Sequence, residues 1–87
     1  IPHLGWNDVK IIKAHPLFSG LSDTPCFYFA HSYVLYPRSS DVVTAVTNYG
    51  GELPVALADN NIMAVQFHPE KSQQDGLQLL RNFVGMI

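Results

Sequence analysis

The stretch AVQFHPEKS, residues 64–72, sets where the predicted sheet of this chain stops and its last helix starts. An apolar run that predicts a buried strand over 62–67 ends abruptly at His68, Pro69 and Glu70. Proline has no main-chain N–H, so it does not continue a central strand. The sequence therefore places an imidazole and a carboxylate at a strand end, where open α/β folds hold their functional sites.

His68 and Glu70 stand two positions apart, a spacing that suits a hydrogen-bonded pair. In an extended chain, side chains at i and i+2 point the same way and lie about 6.5–7 Å apart. Pro69 fixes its own φ and favours an extended conformation at His68. A carboxylate bonded to one ring nitrogen sets the tautomer, and the other nitrogen can then take a proton. The pair predicts the base and orienting acid of a nucleophilic triad, within hydrogen-bonding reach.

A simpler interpretation of the same residues involves no catalysis. His68 then only ends the strand, and Glu70 stabilises the following helix, because a negative charge near a helix N-terminus is favourable. Taken alone, the residues favour this simpler interpretation.

The segment after this stretch predicts an amphipathic helix over 73–86. Ser72 followed by Asp75 resembles a capping box. At 100° per residue, one half of the helix is apolar, which predicts a helix packed on a sheet. The residues of that half are Leu77, Leu79, Leu80, Phe83, Val84, Met86 and Ile87.

The segments before it predict mainly strands. Residues 6–12 alternate loosely and predict a short strand, 14–23 predict a loop with a helical turn at Pro16–Phe18, and 26–36 predict a strand. Residues 41–67 predict three antiparallel strands, since Gly50-Gly51 and Asn60-Asn61 mark tight turns. Residues 27–31 and most of 62–67 are apolar on both faces, which is typical of the middle of a sheet. The predicted fold is mixed α/β and mostly β.

Composition narrows the class of protein. The chain has 87 residues, 47% hydrophobic and 14% charged, with a net charge of -2. These values exclude a disordered chain and leave no basic surface typical of nucleic-acid binding. No run approaches the ~18 apolar residues of a membrane span. A single cysteine rules out a disulfide framework and favours a reducing, cytoplasmic compartment.

Neither a metal site nor a complete nucleophilic site is predicted. The four histidines, His3, His15, His31 and His68, have spacings that fit no compact ligand motif. Cys26, between a proline and the start of a strand, is better interpreted as a small buried or half-buried residue than as a nucleophile.

Ser32 directly follows His31. Neighbours in a strand face opposite ways, so these two cannot pair as nucleophile and base.

Five stretches of the chain together resemble a known family. QFHPEKS resembles the C-terminal signature of class I (triad-type) glutamine amidotransferases. The others are similar to the glutaminase subunit family of imidazole glycerol phosphate synthase, and the match covers only the C-terminal half of that subunit. These stretches are PHLGWNDV (2–9), FYFAHSYV (27–34), NYG (48–50) and GLQLLRNF (76–83).

The resemblance implies roles for particular residues. It implies a flavodoxin-like domain, of which residues 1–87 are the C-terminal part, with His68 as general base and Glu70 as its orienter. The main chain at Ser32 and Tyr33 would help hold glutamine. The nucleophilic cysteine would lie in the N-terminal half, and Cys26 does not match its motif.

The resemblance also implies a partner and no cofactor. Ammonia released from glutamine would pass to a (β/α)8-barrel cyclase, either a separate chain or a fused domain, for histidine biosynthesis. Trp6 would lie near that interface, although plain packing explains it equally well. Lys71 could reach the partner, and a solvated lysine is the alternative.

Three further expectations follow. The rival functions are another class I glutamine amidotransferase, a γ-glutamyl hydrolase and a non-catalytic interaction module. We expect the chain to be part of a larger domain and inactive alone. We also expect an exposed apolar patch, because one helix covers only one face of the sheet.

Overall fold

The computed structural model describes residues 3–34 and 36–86. Its strands are β1 (His3–Ile11), β2 (Cys26–His31), β3 (Val43–Asn48), β4 (Glu52–Asp59) and β5 (Ile62–Val65), followed by the helix α1 (Gln73–Gly85). Single turns of 3₁₀ helix lie at Pro16–Phe18, Ser40–Val42 and Pro69–Lys71. The expected helical turn at Pro16–Phe18 is confirmed, and so is the mostly β composition. Leu35, in the predicted strand 26–36, and Ile87, on the predicted helix face, lie outside the described residues.

The five strands form one antiparallel sheet in the order β2-β1-β3-β4-β5. The three strands expected within 41–67 are therefore confirmed, with a Gly50-Gly51 turn between β3 and β4. Gly50 and Gly51 have φ of 68° and 144°, which glycine adopts without a steric penalty. Asn60, at φ 55°, makes the β4–β5 turn.

The expectation that 27–31 and 62–67 lie in the middle of the sheet is wrong. Within the described residues, β2 and β5 are the two edge strands. The outer edge of β2 is not bare, however: the segment from His68 to Asp75 hydrogen-bonds to it. Part of the outer edge of β2 is therefore paired with a segment that is not a strand.

Strand boundaries also differ from expectation. β1 starts three residues before the predicted 6–12, because its N-terminal part pairs with β2 from His3↔His31 to Asp8↔Cys26. β2 stops at His31 and β5 at Val65, short of the predicted ends at 36 and 67. Residues 66–68 bond to β4 and β2 instead, through Gln66 N–H to Val55 and His68 N–H to Tyr28.

The core lies between one face of the sheet, the Pro16–Phe18 turn and α1. Phe27 stacks on Phe67 with ring centroids 3.9 Å apart, and Leu79 is the large apolar residue of α1 that is buried there. The cluster contains Val9, Leu17, Phe18, Phe27, Phe29, Ala45, Val55, Ala56, Phe67 and Leu79.

Two expectations about α1 are wrong. Ser72 precedes the helix but makes no capping bond to it, since its hydroxyl is used elsewhere. The apolar half of the helix is also not wholly packed on the sheet: Leu77, Leu80, Phe83 and Val84 are exposed. A strip of exposed apolar side chains thus runs along α1. No helix within 3–34 and 36–86 is long and apolar enough to cross a membrane.

Candidate functional site

His68 and Glu70 form a direct side-chain contact just beyond β5. His68 Nδ1 lies 3.0 Å from Glu70 Oε2, so the predicted hydrogen bond is confirmed. The expected geometry is only half right. His68 is extended, at φ -104° and ψ 96°, but Pro69 starts a 3₁₀ turn instead of continuing the strand. The turn keeps Glu70 beside the imidazole, so the two side chains meet although the chain is not extended at Pro69.

The electrostatics of the pair favour an ionised carboxylate. A hydrogen bond from its own main-chain N–H, and then the bond to His68, hold the pKa of Glu70 below its usual value. A carboxylate only accepts, so His68 Nδ1 donates and the neutral ring keeps its lone pair on Nε2. No described group hydrogen-bonds to Nε2. In this chain the side chain of His68 is 38% exposed and that of Glu70 is 59% exposed.

The main chain of His68 is fixed to the middle of β2. Its N–H donates to the Tyr28 carbonyl at 2.9 Å. Its carbonyl accepts from the Ser72 hydroxyl at 2.6 Å, and that hydroxyl accepts from the Tyr28 N–H at 2.9 Å. Ser72 is buried. No sequence pattern indicates this bridge, because a serine at a helix start is ordinarily interpreted as a cap.

Cys26 has the environment of a structural cysteine. It is half-buried, and its N–H donates to Asp75 Oδ2 at 3.0 Å. Burial raises the pKa of the thiol, and the negative charges of Asp8 and Asp75 raise it further. A reactive cysteine needs a lowered pKa. The structure therefore agrees with the interpretation of Cys26 as a small half-buried residue.

Ser32 and Tyr33 lie directly after β2, away from the His68–Glu70 contact. Both side chains are exposed, Tyr33 by 85%. Ser32 lines an open groove with His3, His31 and Tyr49 among others. β2 therefore supports both parts of the candidate site, since it bonds to His68 through Tyr28 and leads into Ser32 and Tyr33.

Trp6 and Lys71, the expected interface residues, are both on the surface. The Trp6 ring is 48% exposed and meets Tyr28 edge to face at 5.7 Å between centroids. Lys71 ends the 3₁₀ turn that carries Glu70 and is exposed. Trp6 thus packs against the chain and is also exposed to solvent, so both interpretations, plain packing and a contact with a partner, remain open.

Sequence reasoning did not find the contact between two of the histidines. His3 Nδ1 lies 3.1 Å from His31 Nε2, although the two residues are 28 positions apart. They meet because β1 and β2 pair His3 directly with His31. Within the described part of the chain, no three His, Cys, Asp or Glu side chains come together to hold a metal ion.

Comparison with known proteins identifies the family. The model of the family Glutamine amidotransferase class-I matches residues 1–86. The imidazole glycerol phosphate synthase subunit HisH 1 of Methanococcus maripaludis is 48% identical over 87 residues, which are 100% of this chain and 43% of that protein. The subunit HisH of Dechloromonas aromatica is 52% identical over 84 residues, 97% of this chain and 39% of that protein. The chain thus spans less than half the length of these relatives.

A solved structure with the same fold comes from Thermoplasma acidophilum, where the protein is assigned to a GMP synthase. It superimposes with a TM-score of 0.82 at 24% identity, over 99% of this chain and 44% of that one. The sheet with its C-terminal helix is therefore the amidotransferase fold. Together with the family match over residues 1–86, this establishes that the chain belongs to the class I glutamine amidotransferase family.

Proposed function

We propose that this chain is the C-terminal part of the glutaminase subunit of an imidazole glycerol phosphate synthase. In the whole protein it would help hydrolyse glutamine to glutamate and ammonia. The observation that carries the proposal is the 3.0 Å contact between His68 Nδ1 and Glu70 Oε2, which leaves Nε2 able to take a proton. The identity of about half of all aligned positions to subunits named HisH supports this particular synthase.

His68 acts as the proton carrier in this reaction. A cysteine outside this chain would give its proton to Nε2 while its sulfur bonds to the amide carbon of glutamine. The imidazolium then passes that proton to the leaving nitrogen, and ammonia departs, leaving a thioester. His68 next takes a proton from water as its oxygen attacks the thioester, which releases glutamate and restores the thiol. Glu70 holds the ring and stabilises the imidazolium in both steps.

The main chain at Ser32 and Tyr33 would bind the glutamine substrate. Both residues follow β2, and β2 also bonds to the main chain of His68. A single strand therefore fixes the distance between the substrate-binding segment and the base. Such rigid support is what a reaction that depends on orientation requires.

The partner would be a (β/α)8-barrel cyclase that receives the ammonia. Trp6 and Lys71 both lie on the surface. Trp6 lines a groove with the residues that follow the turn at Pro69–Lys71, so one surface of the cyclase would contact both residues. A half-exposed tryptophan is a common anchor of protein interfaces. The function needs no cofactor and fits a cytoplasmic enzyme of histidine biosynthesis.

The full-length protein that contains this chain, mixed with its cyclase, tests the proposal. Glutamate release should rise when the cyclase substrate is present, and imidazole glycerol phosphate should form. The isolated 87-residue chain should release no glutamate, because its Cys26 is not placed or polarised as a nucleophile. Glutamate release without any imidazole glycerol phosphate would instead favour a different class I amidotransferase. Absence of glutamate release from the full-length complex would favour a non-catalytic module.

A further inference from the structure

A line of hydrogen bonds runs from β1 to the segment after β2. Asn7 Nδ2 lies 3.4 Å from His3 Nε2, His3 Nδ1 lies 3.1 Å from His31 Nε2, and His31 Nδ1 lies 2.9 Å from the Tyr33 carbonyl oxygen. None of these side chains takes part in the proton transfers assigned to His68. The line ends at the main chain proposed to bind glutamine.

The identity of the end groups fixes the direction of every bond. A carbonyl oxygen can only accept, so His31 Nδ1 carries a proton and donates to Tyr33. In the neutral ring, His31 Nε2 is then an acceptor, and His3 Nδ1 must donate to it. His3 Nε2 is left as an acceptor and receives the amide proton of Asn7. Both rings are satisfied in the neutral state, each with its proton on Nδ1.

The far end of the line is closely packed. His3 is only 3% exposed and lies between two rings, with centroids 4.3 Å from Phe29 and 4.1 Å from Tyr49. Asn7 also donates to the Asn48 carbonyl at 3.2 Å, which ties it to β3. The near end, by contrast, follows the last paired residue of β2 and has exposed side chains. The packed end can therefore hold the exposed end in place.

We propose that His31, held by His3, is a positioning residue that fixes the main chain at Tyr33 in the conformation that binds glutamine. The proposal rests on the proposed function, because it assigns a role to the substrate-binding segment of that site. The contact that carries it is the 2.9 Å bond from His31 Nδ1 to the Tyr33 carbonyl. Burial, and then His31, lower the pKa of His3, which favours the neutral ring that this arrangement needs.

Two substitutions of the same residue separate positioning from simple packing. The side-chain amide of asparagine places its nitrogen near the position of Nδ1, and that of glutamine near Nε2. His31→Asn can therefore keep the donor to Tyr33 but loses the acceptor for His3, whereas His31→Gln loses the donor to Tyr33 and can keep an acceptor for His3. In the full-length protein with its cyclase, His31→Gln should raise the KM for glutamine roughly 3- to 10-fold, which corresponds to one hydrogen bond. The increase in KM should be smaller for His31→Asn than for His31→Gln, because the donor to Tyr33 is kept, and kcat should change less than KM in both variants.

Two kinetic results would overturn the inference. The first is a KM for His31→Gln equal to that of the unaltered protein. The second is an equal increase in KM for both variants. In either case glutamate release by the unaltered complex shows that the proposed function itself still holds. If the variants do not fold, ¹⁵N NMR of the unaltered full-length protein decides, since both rings should carry their proton on Nδ1. A proton on Nε2 of either neutral ring would contradict the inference.

Discussion

Replacement of Ser72 by alanine tests how the structure holds His68, the proposed base. The buried Ser72 hydroxyl accepts from the Tyr28 N–H at 2.9 Å and donates to the His68 carbonyl at 2.6 Å. Alanine removes both bonds and introduces no new bulk. The change therefore isolates the bridge between β2 and His68, the proposed base.

The cost follows from what each partner retains. The His68 carbonyl still accepts from the Lys71 N–H at 3.1 Å, so it loses only one of its two bonds. The Tyr28 N–H keeps no partner in the described structure and is left unsatisfied. One lost bond costs about 1 kcal/mol and one stranded donor about 1–3, so the free energy of unfolding should fall by about 2–4 kcal/mol. That is a large part of the roughly 5–15 kcal/mol that stabilises a typical domain.

Denaturant unfolding of the full-length protein measures this difference. Ser22→Ala is the matched control, because Ser22 is exposed and makes no hydrogen bond among the described residues. Its free energy of unfolding should stay within about 0.5 kcal/mol of the unaltered protein. A Ser72→Ala value within the same range would refute the reasoning, since it would mean that the bridge contributes nothing to stability.

Three further predictions concern stability and association. In Gly76→Ala the new Cβ would overlap the Pro69 carbonyl, so the free energy of unfolding, measured with denaturant, should fall by about 1–3 kcal/mol. Gly85 has open space around it, so Gly85→Ala should raise the free energy of unfolding by up to about 1 kcal/mol. Equal values for the two variants would contradict this difference. The pKa of His3 is lowered in the folded chain, so on acidification the unfolded chain binds the proton first, and stability should fall as pH drops below 6.5. His3→Asn should flatten this dependence of stability on pH. An unchanged dependence would contradict the role given to His3. The isolated 87-residue chain should bind an apolar dye and associate as its concentration rises, because apolar side chains along α1 are exposed. A monomer whose melting temperature does not depend on concentration would contradict this expectation.

The features predicted correctly depend on signals that are local in sequence. The β3–β4 and β4–β5 turns carry their own glycine and asparagine signals. The His68–Glu70 contact was predictable because one proline separates the two residues. Even there, the prediction assumed an extended chain, whereas Pro69 starts a 3₁₀ turn and the two side chains meet at 3.0 Å across it.

The features that were missed depend on contacts between distant parts of the chain. Ser72 looked like a helix cap because its true partners, Tyr28 and the His68 carbonyl, include a strand 44 positions away. β2 looked central because 27–31 is apolar on both faces, and composition alone does not show that its outer edge bonds to a segment that is not a strand. The His3–His31 contact depends on the register of β1 against β2, which no local pattern in either strand specifies.

The most direct test of the account is the dependence of the full-length His68→Ala variant on its nitrogen source, measured with the cyclase present. With glutamine, formation of imidazole glycerol phosphate should fall by about 10²–10⁴, the usual contribution of a general base. With ammonia supplied directly, formation should match the unaltered protein, because only the release of ammonia needs His68. Equal loss with both sources would show that His68 serves the structure alone, and retention of the glutamine reaction would show that it is not the base.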